Sequence, residues 1–138
     1  MRTLDPGSLA RTLTLILLVL IAWLSLRPAV DPGQGAGPVF EWIAAVVLGD
    51  PSMGDKVKHT TAYTVLSAIA WAGYQSKMPA AAITAAVLGY AGLMEVLQIF
   101  RPDRDPSMGD MLANALGTGL GTVAAVLLAR LTRSGAYR

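Results

Sequence analysis

No cysteine occurs in the chain, and histidine occurs once, as His59. The first absence excludes disulfides, thiolate metal sites and cysteine nucleophiles, and it leaves the redox compartment undetermined. Charge is also scarce: 14% of the 138 residues are Asp, Glu, Lys or Arg, against 54% hydrophobic. Ordinary soluble domains are about 25% charged. With a mean hydropathy of +0.51, the composition predicts an integral membrane protein. No long polar stretch is present that could fold as a separate module, so residues 1–138 read as a single domain. The net charge of +2 and pI near 9.2 do not point to nucleic acid. The basic residues stand singly at the edges of apolar runs, where they set topology instead.

Four apolar runs are bounded by charge: Thr12 to Leu26, Thr60 to Tyr74, Pro79 to Phe100 and Met111 to Ala129. A span needs roughly 20 residues. The first run alone covers only about 22 Å, so flanking residues are expected to join its helix while Arg11 and Arg27 reach toward the interfaces. No small-x-small cleavage site follows Leu26, which favours a retained span over a signal peptide. The predicted fold is therefore an all-α bundle of four transmembrane helices. Residues 75–78 make a tight antiparallel hairpin between the second and third spans. Residues 27–58 form a long connection rich in Gly and Pro. Within it, Phe40 to Leu48 is too short to span, and two readings stand side by side: an interfacial amphipathic segment, or an ordered loop packed on the bundle. With four spans, Arg2, Arg11, Lys77, Arg130, Arg133 and Arg138 fall on one side, opposite Arg27, Lys56, Lys58, Arg101 and Arg104. This distribution favours a multi-pass protein of the bacterial inner membrane with both termini in the cytoplasm.

The hexapeptide Asp-Pro-Ser-Met-Gly-Asp occurs at Asp50 to Asp55 and again at Asp105 to Asp110, each time just before an apolar run. Four residues after each copy stands a polar head, His59 or Asn114. The proline stops backward extension, Ser52 or Ser107 is placed to cap the new helix, and Asp55 or Asp110 is placed to answer it. A purely capping role for each serine is the plain alternative. Arg-Pro ends the preceding apolar run in both halves, at Arg27-Pro28 and Arg101-Pro102. Two helical hairpins related by a parallel internal repeat are thus expected, with the helices after each hexapeptide as partners. Asp55, His59, Tyr63 and Leu66 share one stripe; Asp110, Asn114, Gly117 and Gly121 share another; Glu95 and Gln98 lie three apart on the third span. All three faces end at the same membrane surface. A carboxyl in a span is costly and usually faces the bundle interior or a wet cavity. Glu95 is accordingly a site candidate, against the alternative that it and His59 merely lock helices by ion pairing.

The order Asp55-Lys56-x-x-His59-x-x-x-Tyr63-x-x-Leu66, then Glu95-x-x-Gln98, then Arg104-x-x-Ser107-x-x-Asp110-x-x-x-Asn114-x-x-Gly117-x-x-x-Gly121 resembles the VanZ-like family. The likeness covers the motif core, residues 55–121. It implies a small bacterial multi-helix membrane protein of unestablished mechanism, and it is the sole route by which glycopeptide tolerance enters the reading. The leading functional expectation is a non-enzymatic protein that binds an anionic envelope lipid, lipid-linked saccharide or peptidoglycan-related molecule. Its ligand-binding residues would be Asp55, Lys56, His59, Tyr63, Glu95, Gln98, Arg104, Ser107, Asp110 and Asn114. The alternatives are a membrane enzyme with His59 or Glu95 as general acid or base, and a small oligomeric transporter in which these two relay protons. The small-residue stripe permits a homo-oligomer. No cofactor and no resident metal is expected, although Asp55, His59, Glu95 and Asp110 are all plausible ligands for a divalent cation.

The topology is testable because the chain is free of cysteine. Single cysteines at Ser52, Ser107 and Lys77, treated in intact cells with an impermeant thiol reagent, are expected to label at the first two positions and not at the third. The reverse pattern would place the hexapeptides in the cytoplasm.

Overall fold

The computed structural model describes residues 5–28, 37–102 and 107–135. Five α-helices and one short 3₁₀ turn account for nearly all of them: α1 (Pro6–Leu26), α2 (Pro38–Leu48), the turn Pro51–Met53, α3 (Gly54–Tyr74), α4 (Ala80–Gln98) and α5 (Met108–Gly135). Three of these, α1, α4 and α5, are long and apolar enough to cross a membrane. α3 has 21 residues, about 32 Å of helix, but its opening Gly-Asp-Lys-Val-Lys-His makes it less apolar.

Local chemistry fixes the boundaries. Asp5 caps α1 by accepting the Ser8 amide at 2.9 Å, and Pro6 occupies the first turn, where its missing N–H costs nothing. α1 therefore begins six residues before Thr12, and the short apolar run gains the length it lacked. It closes at Arg27-Pro28, where the Arg27 guanidinium lies 5.1 Å over the Trp23 ring. The segment at Phe40 to Leu48 proves to be a helix. Pro38 opens it, and Gly49, with φ +76°, closes it in the left-handed conformation. Its Ala44 is buried, while Val39, Trp42, Val46 and Val47 are exposed. α2 thus packs on the start of α3 through a narrow contact and leaves an apolar face outward. Asp50 then caps the 3₁₀ turn by accepting the Ser52 amide at 2.9 Å. Hydrogen bonds from the Ser52 side chain and amide hold the Asp50 carboxyl below its ordinary value. Its folded-state value lies below the unfolded one, so the cap is complete above the ordinary carboxylate range and is lost as pH falls through the lowered value.

Contacts along the helices set their directions. Arg11 Nη1 donates to the Gly73 carbonyl at 3.1 Å, joining the start of α1 to the end of α3. Tyr90 donates to the Leu18 carbonyl at 2.5 Å, and Gln98 Nε2 to the Ser25 carbonyl at 3.2 Å, so α4 runs parallel to α1. α3 and α5 run parallel to each other and opposite to that pair: Thr60 meets Gly117, Thr64 meets Gly121, and Ser67 shares a 2.7 Å hydrogen bond with Thr122. Thr84 of α4 joins the same group at 3.0 Å from Thr122. The apolar core lies between α1, α3 and α4, around Ile21, Leu66, Ala70, Ile83, Val87 and Ala91.

The α3–α5 contact is the most extensive in the molecule, and two glycines make it. A Cβ at Gly117 or Gly121 would collide with the backbone carbonyl oxygens of Thr60 and Thr64, so the helices touch along their backbones. A Cβ at Gly89 or Gly92 of α4 would meet nothing within 4 Å. Gly117→Ala and Gly121→Ala are each expected to destabilise the purified protein by roughly 1–3 kcal/mol through overpacking. Gly89→Ala and Gly92→Ala should leave stability within about 1 kcal/mol. Unfolding titrations with a denaturing detergent, read by circular dichroism, separate the two pairs.

Candidate functional site

Two parallel helices beginning side by side place two first turns at the same end of the bundle. Each carries an acid, Asp55 on α3 and Asp110 on α5, as helix dipoles favour. Ser107 caps α5, its Oγ accepting the Asp110 amide at 3.0 Å. The hexapeptide at α3 is used differently, because there Asp50 does the capping and a 3₁₀ turn intervenes. Neither Asp55 nor Asp110 reaches back to its serine. Their carboxylates turn to lysines: Lys58 pairs with Asp55 three residues before it, and Lys56 crosses between helices to pair with Asp110. Lys56 Nζ also lies 3.6 Å from Asp55 and 3.5 Å from Ser107 Oγ.

Beneath this charged rim runs a hydrogen-bonded chain. Asn114, 1% exposed, donates through Nδ2 to Glu95 Oε1 at 3.3 Å. Its Oδ1 lies 2.9 Å from His59 Nδ1. With Asn114 Nδ2 directed at Glu95, its Oδ1 faces His59 Nδ1, and an amide oxygen only accepts, so in this orientation Nδ1 is the donor. His59 Nε2 is thereby turned toward Asp55, at 3.7 Å from Oδ2. That separation is too long for a hydrogen bond. At the floor, Glu95 is 5% exposed and its Oε2 has no hydrogen-bond partner; the hydroxyl of Tyr63, 2% exposed, has none either. Buried polar atoms are paired in most proteins, and exceptions ask for an explanation.

Of the residues singled out from the sequence, the structure brings together Asp55, Lys56, His59, Glu95, Ser107, Asp110 and Asn114, with Tyr63 one turn deeper on α3. Gln98 is buried but faces away, its amide bonded to Ser25 of α1. Glu95 and Gln98 share a face only broadly: α4 sits between α5 and α1, and the 60° between positions three apart is enough to send one side chain to each. Arg104 lies outside the described residues. Lys58, which is not among the sequence-predicted site residues, joins the cluster by pairing with Asp55; its spacing of three from Asp55 on one helix is the available signal. Among the described residues, one group has the ligand types and proximity to hold a metal ion: Asp55, His59 and Asp110 offer atoms within 4.8 Å of one another.

The arrangement has limited nucleophilic capacity. Ser107 Oγ is committed to the cap, and the nearby Lys56 ammonium is held in its charged form by Asp110, so it is no base for the serine. A concavity of about 300 Å³ lies at the opposite end of the bundle, lined by Trp71, Gln75, Met78, Val126, Arg130 and Arg133. Compared with family models, with characterised proteins and with solved structures, the chain finds no match.

Asn114 is the hinge of this network. Asn114→Ala strips the partner from both His59 Nδ1 and Glu95 Oε1, and a loss of roughly 1–3 kcal/mol is expected for each buried group left unpaired. Asn114→Gln, which keeps both functions at a different reach, should recover part of it. Detergent unfolding read by circular dichroism gives both values.

Proposed function

We propose that this is an integral membrane protein of the VanZ-like type that binds the polar head of an anionic envelope molecule at the end where α3 and α5 begin. In this reading α3 is the fourth span, screened by α1, α4 and α5, and exposed side chains such as Val19, Trp23, Leu116 and Leu128 face lipid. The antiparallel hairpins α1–α3 and α4–α5 are the two copies of a duplicated unit, with α2 inserted in the first; α1 corresponds to α4 and α3 to α5, and each corresponding pair runs parallel. The hexapeptide end faces outward, where lipids, lipid-linked saccharides and peptidoglycan precursors present their head groups.

The observation that carries the reading is the unpartnered Glu95 Oε2, buried beneath a half-exposed rim that contains two ammonium groups. A head group with both phosphate and hydroxyls meets both parts. Its phosphate is received by Lys56 and Lys58, beside two helix N-termini, and a hydroxyl donates to Glu95. Charge is nearly balanced before binding, because each lysine already has an aspartate. Affinity would therefore come from exchanging partners at the rim and from satisfying the floor.

The acid–base alternative has one observation in its favour, the continuous His59–Asn114–Glu95 chain, which couples two titratable groups. An enzyme would need a nucleophile or activated water delivered by the substrate side, and the two readings part on one variant. Glu95→Gln in an enzyme abolishes turnover and spares binding; in a binding protein it weakens the grip on the hydroxyl.

Native mass spectrometry of the purified protein with phosphatidylglycerol, a short-chain prenyl-diphosphate disaccharide and phosphatidylcholine tests the proposal. The two phosphate-bearing anions should be retained above the zwitterionic control, the disaccharide lipid most strongly. Lys56→Ala and Lys58→Ala should each cost several-fold in retention, about 1 kcal/mol for a partly exposed charge contact. Equal retention of all three lipids would sink the head-group reading.

A further inference from the structure

We infer that Asp55, His59 and Asp110 form a binding site for one divalent transition-metal ion, Mn²⁺ or Zn²⁺, for which the Lys56 ammonium is the competing internal cation. Three independent features meet there. First, the ligand atoms of the three residues already lie within 4.8 Å of one another. Donors around a four-coordinate ion with bonds of about 2.1 Å are separated by about 3.4 Å, so His59 Nε2 and Asp55 Oδ2, at 3.7 Å, are close to their bound spacing. The remaining separations close by about an ångström, within reach of side-chain rotation in a cluster whose rim is half-exposed.

Second, the histidine is prepared as a ligand. Metal-bound imidazoles characteristically donate their remote N–H to a fixed acceptor, which sets the tautomer and aims the other nitrogen. Here Asn114 Oδ1 is that acceptor at 2.9 Å. Asn114 is itself fixed by Glu95. This leaves Nε2 as the ring nitrogen available to an ion, facing Asp55 Oδ2 at 3.7 Å with no hydrogen bond between them. Imidazole with two carboxylates suits Mn²⁺ or Zn²⁺ better than Ca²⁺ or Mg²⁺, which take oxygen ligands.

Third, Glu95 is 5% exposed, its Oε1 is joined to His59 through Asn114, and its Oε2 has no hydrogen-bond partner. It lies outside the triad and is not a ligand. An ion held by three protein groups keeps at least one water, and a buried carboxylate oxygen lacking a donor is an acceptor for that water's proton. The ion thus accounts for an atom that protein contacts leave unsatisfied.

Lys56 supplies the discriminating behaviour. Its ammonium pairs with Asp110 and stands 3.6 Å from Asp55, so it occupies the charge-balancing position between two of the proposed ligands. An entering ion must displace it toward solvent, which its half-buried position allows. Removing the ammonium should then tighten metal binding, the opposite of its effect on a phosphate ligand. The metal site does not depend on the head-group reading, and the two can fail separately.

The test is a titration of the chelator-treated, tag-free protein in detergent with MnCl₂, followed by the electron paramagnetic resonance of free Mn²⁺ and repeated calorimetrically with ZnCl₂. One ion per chain is expected. Asp110→Asn and His59→Ala should each weaken it about tenfold or more, and Lys56→Met should tighten it several-fold. In the wild-type protein, spin-echo modulation of bound Mn²⁺ should report one imidazole nitrogen, a readout that no variant's folding can confuse. The inference is overturned by an absence of saturable binding, by bound Mn²⁺ without a nitrogen ligand, or by weaker binding in Lys56→Met that is folded by circular dichroism.

Discussion

The close approach of α3 and α5 governs everything else at the polar end of the molecule. With Gly117 and Gly121 set against the carbonyls of Thr60 and Thr64, the two helices are locked in register as well as in distance. That register carries Lys56 to Asp110, His59 to Asn114 and Ser67 to Thr122. Each of these pairs joins side chains 54 or 55 residues apart in sequence, and none of them survives a shift by one residue. Between helices that cross a membrane a hydrophobic driving force is lacking, and single interhelical hydrogen bonds there average about 0.6 kcal/mol. Backbone contact at two glycines therefore sets the geometry, and the polar pairs then decorate it.

Parallel packing has an electrostatic cost that the sequence answers directly. Two adjacent helices starting at one end place two positive dipole ends together, each equivalent to about half an elementary charge. An aspartate in each first turn offsets them. Two aspartates that close would repel each other, and Lys56 and Lys58 neutralise them at the rim. Below the rim the same problem recurs for Glu95, which no lysine reaches. The amide of Asn114 meets one of its oxygens, and Oε2 has no hydrogen-bond partner of its own. The cluster is therefore complete as a structural device at its rim and incomplete at its floor. That asymmetry leaves Glu95, and not the more conspicuous ion pairs, with hydrogen-bonding capacity to spare.

The sequence exposed much of this because its regularities are those of long apolar helices. Charge boundaries located the long helices, and the hexapeptide located where α3 and α5 begin. The four-residue spacing from Asp55 to His59, and from Asp110 to Asn114, placed these groups on facing stripes. Helix ends were less legible: α1 extends back to Pro6 because Asp5 can cap it, a local effect that hydropathy does not register. The apolar stretch Phe40 to Leu48 admits two readings in the sequence because so short a run is compatible with either, and the helix that contains it spans Pro38–Leu48. The divergence of Gln98 from Glu95 was invisible, since it depends on α4 lying between α5 and α1. So did the donor–acceptor order through Asn114, which only distances can assign.

The two hexapeptides show how identical local sequence can be spent on different tasks. In the second copy Ser107 caps α5, and its partner acid Asp110 is left to receive Lys56. In the first copy the cap is Asp50, the serine amide is its donor, and a 3₁₀ turn separates it from α3. In the first copy the preceding helix sets the path. α2 ends at Gly49 immediately before Asp50 and packs on the opening of α3, so the chain enters α3 along a fixed path. Asp55 is therefore held beside His59 and Lys58 on its own helix, while Asp110 looks across to α3. One copy supplies the acid and the imidazole that face each other along a helix, and the other supplies the acid that closes the group from the second helix. A duplicated motif whose copies had remained equivalent would have given two separate caps. Their divergence gives a single mixed cluster of carboxylates, imidazole and ammonium between the helices.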